Sequence, residues 1–79
     1  MERNEVIKKA NEAIAEEFEI DVEDITPKAN IKETLELDSL SLVDLVALIE
    51  SEFGIKIKNT EIAKIKIFDD LYDYIFTRL

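Results

Sequence analysis

The sequence predicts an all-α fold, and three observations carry that reading. One glycine and one proline in 79 residues leave too few turn formers for the tight hairpins of an antiparallel sheet. Apolar residues recur at spacings of three and four in separate segments, the period of a helix with one buried face. The hydrophobic content of 47% is enough for a core and too high for a disordered acidic tail. A chain of this length reads as one domain, residues 1–79. So small a core predicts only marginal stability.

The first helix is expected over residues 4–18. Val6, Ile7, Ala10, Ile14 and Phe18 make its apolar stripe, Lys8, Lys9, Glu12, Glu16 and Glu17 fall on the solvent side, and Asn4 is placed to cap it. A long connection follows, residues 19–37. Ile20, Val22, Ile25, Ile31, Leu35 and Leu37 are scattered through it without a helical period, and Pro27 interrupts any regular element. The alternation over 19–22 has the pattern of a short strand, but no partner strand is evident. A connection of this length is unusual in a compact domain and is often functional. Its apolar residues are expected to pin it over the helices.

The clearest helix comes next. Asp38 or Ser39 is its cap, Leu42, Leu45, Val46, Ile49 and Phe53 are its stripe, and Gly54 stands where a left-handed C-terminal cap belongs. After a link at 55–59, a short helical turn is expected at 60–65. A last helix covers 68–79, with Phe68, Leu71, Ile75 and Leu79 inward.

The missing residue types narrow the function. With no cysteine, disulfides, thiolate metal sites and cysteine nucleophiles are excluded. With no histidine, the commonest general base and metal ligand is gone. No catalytic residue and no metal site are expected, and the chain is not read as an enzyme. Calcium binding by the acidic loop 21–33 is disfavoured, because the loop lacks the glycine and the alternating carboxylates of an EF-hand. Nineteen acidic residues against ten basic ones give a formal net charge of −9. That charge opposes nucleic-acid binding and an anionic membrane surface, and suits a partner with a basic patch. No targeting segment or membrane span is visible, so a cytoplasmic protein is expected.

Ser39 holds the most informative position. Leu37, Asp38, Ser39, Leu40 and Ser41 set a hydroxyl at the start of a strongly amphipathic helix. Helices begin with N–H groups that lack intrahelical partners, and their dipole favours negative charge there. A phosphate on Ser39 is well placed. Alone, an Asp-Ser pair before an apolar run is most often only a cap.

Context adds to this. From residue 22 to residue 75 the chain resembles the acyl carrier protein family. Asp38, Ser39 and Leu40 match its Asp-Ser-Leu motif, whose serine receives 4′-phosphopantetheine. Val22, Glu23, Asp24, Ile25 and Thr26 resemble the start of its long first loop. Glu50, Ser51, Glu52, Phe53, Gly54 and Ile55 resemble the acidic, aromatic end of its second helix. Ala63, Lys64 and Ile65, then Asp73, Tyr74 and Ile75, resemble its third and fourth helices. The resemblance implies a four-helix bundle, three main helices plus one short helix, with a long first loop. It implies a carrier of acyl thioesters on a phosphopantetheine arm taken from coenzyme A and attached to Ser39, working in fatty-acid or a specialised lipid or polyketide synthesis. A thioester carrier without its own cysteine must receive its thiol from such a group. Peptidyl and D-alanyl carriers are alternatives, as is an acidic helical module that carries nothing. Peptidyl carriers usually approach the serine through glycines, which Glu36, Leu37 and Asp38 do not supply.

The resemblance also implies partners: holo-acyl-carrier-protein synthase or another phosphopantetheinyl transferase, and acyltransferases and ketosynthases with basic docking patches, acting on a monomer. Between Lys32 and Lys56 there is no basic residue, while Glu33, Glu36, Asp38, Asp44, Glu50 and Glu52 fall there. The bland reading is a solvated helix face. The functional one is a docking surface on the central helix, with Val43 and Ala47 as apolar contacts beside Asp44 and Glu50. Ser41, Ser51, Leu42 and Glu36 depart from the family's frequent residues at their positions; these departures bear on partner identity more than on the carrier role, and a specialised carrier outside central fatty-acid synthesis is an alternative.

Overall fold

The first helix opens at Arg3. In the computed structural model, which describes residues 2–79 apart from the side chains of Ser39, Leu40 and Asn59, helix α1 spans Arg3–Phe18. The Arg3 guanidinium bonds Asp69 at 2.5 Å and also Asp73, tying the first turn to the end of the chain. The cap expected at Asn4 is therefore corrected. Glu2 is the N-cap residue, without a side-chain cap bond, and its carbonyl accepts the N–H groups of Glu5 and Val6 at 3.0 Å. Asn4 lies inside the first turn.

The connection over 19–37 is more regular than its sequence suggests. It holds a 3₁₀ turn at Val22–Asp24 and a five-residue helix, α2, at Ile31–Leu35. Asn30 caps α2 by accepting the Glu33 N–H at 3.0 Å. Backbone bonds hold the connection to the start of the last helix: Ile31 N–H to Lys66 carbonyl at 2.9 Å, Phe68 N–H to Ala29 carbonyl at 3.2 Å, and Asp69 N–H to Pro27 carbonyl at 2.8 Å. The last two satisfy first-turn donors that a helix cannot satisfy itself. An isolated bridge pairs Asn30 with Ile67, and the strand-like pattern at 19–22 forms no strand. Ile25, Ile31 and Leu35 are buried as pins. Val22 is not one of them, being 45% exposed.

The remaining helices are α3 at Ser39–Phe53, α4 at Asn59–Ile62 and α5 at Phe68–Arg78. Helix α1 packs along both α3 and α5. Val6, Ala10 and Ile14 meet Leu45 and Ile49 of α3 and Phe68, Leu71, Tyr72 and Ile75 of α5 in one buried cluster. Each fully buried large side chain here contributes about 1.5–3 kcal/mol of transfer free energy. Ile55 and Ile57, in the link after α3, join the same core. Gly54 takes the left-handed conformation expected of it, at φ 66°. The four-helix bundle is borne out, with α1, α3 and α5 long, α4 short and α2 a further turn in the first loop.

Two core assignments differ from the spacing argument. Leu79 lies past the end of α5 and is 51% exposed. Tyr72 is wholly buried instead, and its hydroxyl donates to Oδ1 of buried Asn11. Burial pushes the Tyr72 hydroxyl above its ordinary pKa. No buried side-chain nitrogen or oxygen among the described residues lacks a partner.

Four-residue α4 is too short to hold itself. Its Glu61 carboxylate accepts from the Tyr74 hydroxyl and from Arg78 at 2.8 Å, and the Arg78 guanidinium lies 4.7 Å from the centre of the Tyr74 ring. The Tyr74 hydrogen bond, aided by Arg78, holds the Glu61 carboxyl below the usual range. Among the described residues no helix is long and apolar enough to cross a membrane.

Candidate functional site

The start of α3 is built by its flanks. Glu36 ends α2 in the left-handed conformation, and half-buried Leu37 packs against the core. Asp38 follows and closes the first turn of α3 twice over. Its Oδ1 accepts the Ser41 N–H at 2.8 Å, and its carbonyl accepts the Leu42 N–H at 3.0 Å. Of the two caps the sequence offered, Asp38 is the one used. Ser39 is the first residue of the helix. The side chains of Ser39 and Leu40 lie outside the described residues.

A helix of fifteen residues carries partial positive charge at its first turn, which favours a phosphodiester attached there. The chain has neither cysteine nor histidine. A reactive thiol would have to arrive with the group itself, and no imidazole is present to activate a nucleophile. These residues fit a phosphopantetheine arm on the opening serine.

Further along α3, the residues expected to meet partners divide. Val43 is 64% exposed, and Asp44 and Ala47 are exposed beside it. They fall at spacings of one, three and four, so they form one outward patch. Glu50 is half-buried, and its Oε2 accepts the Ile57 N–H at 2.8 Å, anchoring the link between α3 and α4. Its carboxylate is thus partly committed to the fold.

One feature escaped sequence reasoning. A cleft of about 250 Å³ is lined by Asn30, Lys32, Leu42, Ile62, Ala63, Ile65 and Lys66. Leu42 lies three residues past Ser39, about 4.5 Å along the helix axis. The sequence signal for the cleft was the apolar group at 62, 63 and 65, which belongs to no long helix. Among the described residues there is no cluster of three or more His, Cys, Asp or Glu able to hold a metal ion.

A small helical bundle with an acidic central helix, opened by a capped serine and lacking its own thiol, has the build of a carrier domain. Known proteins agree. Residues 9–75 match the family model described as "Phosphopantetheine attachment site". The acyl carrier protein of Rubrobacter xylanophilus is 37% identical over 75 residues, 95% of this chain and 93% of its own. That of Thermotoga maritima is 38% identical over 77 residues, 98% of this chain and 95% of its own. The solved acyl carrier protein of Enterococcus faecalis superposes with a TM-score of 0.81 at 34% identity, covering 100% of both chains. A solved Thermotoga maritima structure gives 0.80 at 36% identity, covering 99% of this chain and 91% of its own. The chain belongs to the acyl carrier protein family. Members are carriers rather than catalysts, bear covalently attached 4′-phosphopantetheine, and interact with a phosphopantetheinyl transferase and with biosynthetic enzymes.

Proposed function

We propose that residues 1–79 act as a single acyl carrier domain, a cytoplasmic monomer whose Ser39 bears the phosphopantetheine arm. The observation that carries this is the position of Ser39 as first residue of α3, directly after the Asp38 cap. A transferase would form a phosphorus–oxygen bond to Ser39 Oγ, breaking the pyrophosphate link of coenzyme A and releasing adenosine 3′,5′-bisphosphate. The serine proton leaves to a base supplied by the transferase. The arm's thiol then holds acyl groups as thioesters for fatty-acid or specialised lipid or polyketide synthesis. Asp38 sets the helical start, and Leu40 completes the motif. Val43, Asp44 and Ala47, with the outer part of Glu50, form the surface that basic patches on the transferase, acyltransferases and ketosynthases meet.

Intact mass spectrometry after treatment with a promiscuous phosphopantetheinyl transferase tests the attachment. Wild type and Ser41→Ala should each gain one arm, and Ser39→Ala none. An arm on Ser39→Ala sinks the assignment. An unmodified wild type favours a helical module that carries nothing.

A further inference from the structure

The cleft beside Leu42 has an electrostatic character opposite to that of the molecule. The chain has 19 acidic and 10 basic residues. Yet the seven residues lining the cleft are Lys32, Lys66, Asn30 and four apolar side chains, with no carboxylate. The backbone brings the two lysines together. The Ile31 N–H bonds the Lys66 carbonyl at 2.9 Å, so Lys32 and Lys66 lie on adjoining backbone segments, and both line the cleft. Neither takes part in an ion pair among the described residues. The nearest acid of α5, Asp70, accepts the Lys66 backbone N–H at 3.4 Å and is not part of the lining. Both lysines line the cleft, so an anion held there gains from two cationic groups.

We propose that this cleft holds a short acyl group bearing a terminal carboxylate, its methylenes against Leu42, Ile62, Ala63 and Ile65 and its carboxylate between Lys32 and Lys66. The proposal rests on Ser39 bearing the arm, and it names the cargo class. A volume of about 250 Å³, roughly that of eight water molecules, fits a short chain. The apolar walls alone would accept a methyl-terminated chain equally well. The lysines make the difference, because a carboxylate at the rim gains two charge-assisted hydrogen bonds that a methyl group cannot form. They are specificity-determining residues and take no part in the thioester chemistry.

The experiment compares two six-carbon cargoes, adipyl and hexanoyl, each loaded as its acyl-pantetheine from the matching coenzyme A thioester. Intact mass confirms loading at Ser39. The rate of thioester cleavage by hydroxylamine then reports shelter, and the adipyl-to-hexanoyl rate ratio is compared across three proteins. These are wild type, Lys32→Met/Lys66→Met, and the charge-matched control Lys8→Met/Lys28→Met, whose lysines are exposed and not part of the cleft lining. The ratio should rise about fivefold on removing the cleft lysines, the scale of two partly solvated ion contacts, and should stay at the wild-type value in the control. Methyl shifts of Ile62 and Ile65 should respond to adipyl loading in wild type and lose most of that response in Lys32→Met/Lys66→Met. An unchanged ratio, or an equal change in the control, overturns the cargo assignment while leaving the carrier reading intact. Failure of both cargoes to load overturns both readings, and failure of adipyl alone overturns only the cargo assignment.

Discussion

Glu36 sits at φ 53° and ψ 46°, and Glu19 at φ 56° and ψ 46°, in a region where a Cβ meets the following carbonyl. Both end helices, where glycine is the usual residue. A non-glycine residue there costs roughly 1–2 kcal/mol, against the roughly 0.4–1 kcal/mol that glycine loses through a freer unfolded chain. Glu36→Gly is therefore expected to stabilise the fold by about 0.5–1 kcal/mol, raising the melting temperature by about 3–6 °C. Loss of a negative charge would also help, so Glu36→Ala is the control. It removes the same charge and keeps the strain. Thermal melts followed by circular dichroism should rank Glu36→Gly above Glu36→Ala, and equal melting temperatures would show that charge alone matters. The turn set at Glu36 also orients Leu37 and Asp38, and through them the start of α3.

At the scale of elements, helices that show their period were legible and elements that cannot show it were not. Of the stripes read for α1 and α3, residues 6, 10, 14, 45, 49 and 53 are buried, and 7, 18, 42 and 46 are half-buried against the core. Helix α2 has five residues, too few to display a repeat. Its only sequence mark is Asn30 three places before Glu33, half of a capping box. Tyr72 was missed because its hydroxyl counts against burial until Asn11, 61 residues away in sequence, supplies an acceptor. The motif at 38–40 was legible from local order, whereas the cleft needs α2, α3 and the α4 region together. The outward face of α3 was half legible. Exposure of Val43, Asp44 and Ala47 is a matter of phase on one helix, but the bond from Ile57 to Glu50 arises only when the link folds back. That bond decides the test of the face. Glu50→Lys would disturb folding as well as docking, so Asp44→Lys is the cleaner change, and Glu12→Lys on α1, also exposed, alters net charge equally. Charges at an interface rim mainly speed encounter. Asp44→Lys should slow arm transfer by a phosphopantetheinyl transferase severalfold and flatten its salt dependence, and Glu12→Lys should do neither. Equal slowing by both would mean that partners sense overall charge.

The whole molecule balances a small core against a large charge. At −9, its carboxylates repel one another, and folding brings them closer than they stand in the expanded chain. Attraction offsets little of this. The ion pairs formed by described residues join Arg3 to Asp69 and Asp73, and Arg78 to Glu61. Paired side chains as exposed as these contribute from nothing to about 1 kcal/mol each. Screening weakens both repulsion and attraction, and the sign of its effect depends on which is larger. With 19 acids against 10 bases, repulsion wins. Raising sodium chloride from about 10 mM to about 0.3 M shortens the Debye length from about 30 Å to about 6 Å, below most separations across the molecule. The melting temperature should therefore rise with salt. The slope should shrink in Asp44→Lys and in Glu12→Lys, each of which lowers the charge by two units, and the low-salt melting temperature of both should exceed that of wild type. Chloride is nearly neutral in its effect on burial, whereas sulfate strengthens it, so the measurement belongs in chloride. A melting temperature that is flat or falls over this range would mean that the Arg3 and Arg78 pairs outweigh the repulsion. Replacing Arg3 with methionine would then remove most of the fall.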